Sequence, residues 1–218
     1  MVKHIHLIFF LFAILALVFL AFGYWGSWIA HPAAGLNILG VDLPEYVKFV
    51  PEVRDGIISL NRLIFFAIPV ALALGLIFLA SVRAVLPLWI RGVAAASALP
   101  VALSMLPPAW SPGLLMTSEF RVQTIIILGL IVSVFLIPVW KQVIPDWLRG
   151  ALFILISLFL LPALRSFFLL LPALEKLYHR SLLAAGPGVW WTVTGTALML
   201  LAGGLLLLTD VRFARDGC

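Results

Sequence analysis

Residues 5–24 read IHLIFFLFAILALVFLAFGY, a run without a single Asp, Glu, Lys or Arg. A helix of this length is about 30 Å long, which matches the hydrocarbon core of a bilayer. Met1–His4 gives it a short basic start. The apolar stretch from Ile5 to Phe22 is long for a signal-peptide core, and the bulky Gly23-Tyr24-Trp25 is no small-x-small cleavage site. The run therefore reads as a retained first membrane helix.

Similar runs recur along the chain. Six spans are expected, at roughly Ile5–Tyr24, Leu60–Ala80, Leu88–Leu106, Gln123–Val139, Gly150–Leu171 and Val189–Leu208. The expected fold class is all-α, a polytopic transmembrane helix bundle forming one integral membrane domain over residues 1–218. Composition agrees. Of the 218 residues 64% are hydrophobic and 11% charged, with a mean hydropathy of +1.21, whereas soluble domains carry about 25% charged residues.

The tryptophans fall at the ends of these runs. Trp25 and Trp28 follow the first, Trp89 opens the third and Trp110 follows it. Trp140 and Trp147 flank the turn between the fourth and fifth, and Trp190 and Trp191 open the sixth. Indole pairs an apolar body with one N–H donor and favours the headgroup boundary. Trp89, Arg91, Trp147, Arg149, Trp190 and Trp191 are read as interface anchors.

A net charge of +5 and a pI near 9.9 do not indicate nucleic-acid binding, because the basic residues sit singly at run ends. The lone cysteine, Cys218, provides neither a disulfide nor a thiol pair. With six spans both termini lie on one side. Lys3 before the first span, and the acids Asp42, Glu45, Glu52, Asp55, Glu119 and Glu175 opposite, favour a cytoplasmic side in a plasma (inner) membrane.

Residues 83–92, RAVLPLWIRG, resemble residues 141–150, KQVIPDWLRG, without a gap. Upstream, Ser59–Arg62 resembles Ser118–Arg121 with one residue of slippage. Any tight turn at a lipid interface favours Pro, Trp and a cation, so convergence is one explanation. The preferred one is parallel duplication of a helical hairpin, joining spans 2–3 and 4–5, with candidate repeats at 59–92 and 118–150.

The chain from residue 25 to 58 is the largest expected non-cytoplasmic piece. Asp42-Leu-Pro-Glu45 resembles a helix start in which Asp42 caps and Glu45 closes a capping box. Leu43, Tyr46, Val47 and Val50 share one face, which suggests a short interfacial helix lying in the headgroups. A lid or a docking surface is the alternative. His31, Asp42, Glu45 and His179 are ligand candidates by residue type, but nothing in their spacing resembles a metal motif, and His4 and His6 point apart on a helix. No metal or other cofactor is expected.

Arg165 lies inside the fifth run, roughly 22 Å along a helix from Gly150. A cation within a span suggests function, as contact with an anionic headgroup would. It could instead snorkel, or the helix could break at Pro162. Three rows of small residues, Ala67/Ala71/Gly75, Gly92/Ala96 and Gly188/Thr192/Thr196, suit close helix approach within the chain or with another subunit. No P-loop, Gly-x-Ser-x-Gly or His-Glu-x-x-His is present. The expected role is a non-catalytic membrane subunit, scaffold or accessory factor, associating with other subunits or itself. The alternatives are a transporter or lipid-handling protein and, more remotely, an interfacial enzyme.

Overall fold

The computed structural model describes residues 2–31, 37–82, 86–178 and 184–216, without the side chains of residues 2–6, 146 and 209–216. It is helical with almost no sheet. The elements in order are α1 (Val2–Trp25), β1 (Ser27–Ile29), β2 (Ile38–Leu39), α2 (Leu43–Tyr46), α3 (Pro51–Arg54), α4 (Ala67–Ser81) and α5 (Leu88–Leu103). They continue with α6 (Pro112–Leu115), α7 (Arg121–Phe135), α8 (Ile137–Val143), α9 (Asp146–Leu177) and α10 (Pro187–Asp216).

Each of the six apolar runs forms helix, but not six equal spans. Leu7–Trp25, Arg62–Ser81, Trp147–Leu177 and Pro187–Leu208 are long and apolar enough to cross a membrane. The pair α7 and α8, which meets at a 70° bend, makes a fifth when the two are counted as one broken span. Pro138, in the first turn of α8, cannot donate to α7 and its ring would clash with the preceding turn, so the helix restarts at Leu136. The expected span Gln123–Val139 crosses this break. α5 has 16 residues, about 24 Å, and falls short of a full hydrocarbon core.

α4 is the central helix. It packs against α1, α5, α7, α8 and α9, while α10 lies between α1 and α9. Its apolar residues run all round, as burial on every side requires. Ala67 and Ala71 are fully buried, and a Cβ on Gly75 would meet the Leu17 and Met199 side chains. The tightest crossing joins α9 to α10. A Cβ on Gly150 would lie 2.9 Å from the Gly203 carbonyl oxygen, and one on Gly203 would lie 2.8 Å from that of Gly150. Backbone thus rests on backbone, a geometry only glycine permits. Gly188, Thr192 and Thr196 are buried against α1, with Thr192 under Gly23 and Gly188 under Gly26. Gly92 and Ala96, by contrast, face outward with open space beside Gly92.

The two similar turns share a local geometry. Pro87 and Pro145 precede α5 and α9 with ψ of 148° and 161°. Arg91 and Arg149 each donate backbone N–H to that proline's carbonyl, at 3.3 and 3.2 Å. Each side chain also reaches back to the preceding helix, Arg91 Nε to the Ala80 carbonyl at 2.8 Å and Arg149 to that of Lys141 at 3.5 Å. Residues 83–85 of the first copy lie outside the described residues. Beyond the turns the packing diverges: α5 lies along α4, whereas α9 packs on α4 and α10 and makes no extensive contact with α7.

Candidate functional site

One end of the bundle carries a folded cap. Trp28, fully buried, donates its indole N–H to the Gly23 carbonyl at 2.8 Å and packs edge-on against Phe167 and Phe65. β1 pairs antiparallel with β2, and Gly186 N–H bonds the Trp28 carbonyl at 2.8 Å, tying the start of α10 to the same ribbon. Leu43, Val47 and Val50 are at most 1% exposed. The apolar face of residues 43–50 is therefore covered by the helix ends rather than by lipid, which is what sets this segment apart from a free interfacial helix. Phe49 and Ile57 point away from the bundle and are exposed.

The expected capping box does not form. The Asp42 side chain makes no cap bond; its backbone carbonyl accepts from Glu45 and Tyr46, at 3.1 and 2.8 Å. Glu45 is instead held by long-range partners. Arg62 donates to Glu45 Oε1 at 2.7 Å and to the Glu119 carbonyl at 2.8 Å. Lys48 lies 2.5 Å from Glu45 and 2.7 Å from Glu119. Both cations also lie over the Phe120 ring, about 5 Å from its centroid. Two acids and two bases close a clasp between the cap and the stretch joining α6 to α7.

The electrostatics follow from that geometry. The hydrogen bond from Lys48 is the main reason the Glu119 carboxyl is held below its ordinary range. Burial works against the Lys48 charge, but the bonds to Glu119 and Glu45 outweigh it and hold the ammonium above its ordinary value. Burial, then the hydrogen bond with Tyr178, raises the Tyr46 phenol.

His31 and Arg165 take no part in the contacts that form this clasp. The His31 ring is 5.8 Å from that of Tyr178, whose hydroxyl is 3.4 Å from Tyr46 Oη. His179 lies outside the described residues. Among the described residues no three His, Cys, Asp or Glu side chains gather as a metal ion would require.

Arg165 is exposed on an α9 that continues unbroken through Pro162 and Pro172. Its neighbours one turn away, Leu161, Phe168 and Leu169, are exposed too. Two residues on, Phe167 meets Trp28 at the level of Gly23, while Trp191 stacks on Phe19 and lies 6.1 Å from Phe22. Arg165 thus sits level with Trp191, about 27 Å along the helix from Trp147.

Trp89, Trp147, Trp190 and Trp191 are exposed, and Arg91 is half-buried. Arg149 is only 2% exposed, and its neighbour Gly150 lies against α10. The sequence did not single out Arg62 or Lys48 as site residues, since Arg62 pairs with Glu45 from 17 positions away and Lys48 with Glu119 from 71.

Comparison with protein-family models, curated proteins and solved structures returned no match.

Proposed function

We propose that the protein is a non-catalytic integral membrane subunit or scaffold, with both termini on the cytoplasmic face of the plasma (inner) membrane. The observation that carries this reading is how four of the buried polar side chains within the helices are used. Ser81, Ser157, Thr192 and Thr196 are buried, and each hydroxyl bonds a carbonyl three or four residues back in its own helix. Such groups are spoken for and do not line a route for a polar solute. The cap acids Glu45 and Glu119 are occupied by Lys48 and Arg62, which leaves them poor candidates for acid–base chemistry. The paired turns before α5 and α9 support a duplicated segment in the history of the bundle.

The test is purification of the tagged chain from its native membrane in mild detergent. A stoichiometric membrane partner is expected. A lone, monodisperse chain would overturn the subunit reading.

Arg165 supports a second reading, lipid handling, because an exposed cation level with Trp191 suits an anionic headgroup. Arg165→Leu should then lose binding to anionic vesicles while the fold is retained, and unchanged binding would remove this reading.

A further inference from the structure

We infer that the groove between α1, α4 and α5 is a binding site for a single lipid acyl chain from the leaflet at the capped end. The groove has a volume of about 430 Å³. Leu72 and Leu79 of α4 form its buried floor, with Leu76 beside them. Ile14, Val18 and Trp25 form an exposed rim along α1, and Pro100 the rim along α5. The groove therefore opens sideways, where a bilayer would present hydrocarbon.

Three features identify the occupant. First, the groove follows α1 from Trp25 down to Ile14, about 16 Å, or half of a hydrocarbon core of about 30 Å. Its upper end is thus at the height of the exposed Trp25 indole and its lower end near the bilayer midplane. Second, no charged side chain lines it, and Ser97 supplies the one hydroxyl among the lining residues. Water does not fill an apolar space of this kind. Third, the groove runs lengthwise along α1, as the acyl chains of a bilayer run alongside the helices that cross it, so an unbranched hydrocarbon chain can lie along it. Without charge at the walls, selection is by the chain and not by the headgroup. This separates the site from Arg165, and it stands whether or not a protein partner is found.

The experiment uses the full chain in vesicles of phosphatidylcholine carrying a diazirine midway along one acyl chain. After illumination the labelled residues are mapped by mass spectrometry. Residues 14–25 and 97–101 should carry several-fold more label than the exposed face of α7 at residues 125–132. Replacing phosphatidylcholine by an anionic phospholipid with the same chain should not change the ratio. Ala21→Leu and Ser97→Leu fill the groove from opposite walls, and each should abolish the excess while circular dichroism confirms the fold. Label spread evenly over the outer faces would overturn the proposal, as would an excess that persists in both folded variants. Should neither variant fold, the wild-type distribution decides alone. A photoreactive residue at Val18 that crosslinks to protein instead of lipid would also overturn it.

Discussion

Lys48 reaches two carboxylates that are 74 positions apart in the chain, Glu45 and Glu119, while Arg62 donates to the first carboxylate and to the backbone carbonyl of Glu119. Glu119→Gln should loosen residues 43–54 without unfolding the helices. Exposed ion pairs contribute 0.2–1 kcal/mol, so amide exchange there should rise roughly 1.5- to 5-fold. Exchange as slow as in the parent would dismiss the clasp. The pH dependence follows from the two directions. Glu119 titrates lower in the folded chain, so its contribution is complete above the ordinary glutamate value of about 4.3 and fades as pH falls through the lowered one. Lys48 titrates higher, so its contribution is complete below about 10.4 and fades as pH rises through the raised value. The difference between parent and Glu119→Gln should accordingly hold near neutrality and vanish in strong acid.

Among the elements, the crossing of α9 and α10 is the least tolerant of added volume. Gly203→Leu would drive a side chain into the Gly150 carbonyl and Ile154, and overpacking of this kind costs about 1–3 kcal/mol. Gly204→Leu meets open space and serves as the control. Thermal unfolding in detergent should separate the two, and equal midpoints would show that the crossing tolerates slack.

This is also the scale at which the sequence was most and least legible. Hydropathy located a helix in all six runs, because a membrane-length apolar segment has few other structures open to it. It passed over the bend at Pro138, since proline hardly alters an average taken across a window. Small-residue rows looked alike in the sequence. Ala67/Ala71/Gly75 is filled by neighbours while Gly92/Ala96 is open, and only three-dimensional packing distinguishes them. Likewise Arg91 and Arg149 occupy matching motif positions, yet only the second is buried. At the candidate site Glu45 was picked out by residue type, but its partner Arg62, and Glu119 on the far side of Lys48, lie too far along the chain for local patterns to reveal.

For the whole molecule the proposed arrangement places the cap and the bend at α8 on opposite faces of the membrane. With Cys218 replaced by serine, single cysteines at the exposed positions Asp55 and Ser118 should react with a membrane-impermeant thiol reagent from one side. A cysteine at Gln142, also exposed, should react from the other. Labelling of all three from the same side would sink this topology and the even number of spans with it.

The extensive contact between α1 and α10 has a consequence for biogenesis. During translation α1 is made well before its principal neighbour, α10. At 5–20 residues per second the ribosome needs roughly ten to forty seconds to cover the distance between them. Through that interval Ala16, Leu20 and Gly23, which α10 will cover, have no mate within the nascent chain. Something else must screen them, whether bulk lipid or the insertion machinery, and α10 must displace it when it emerges.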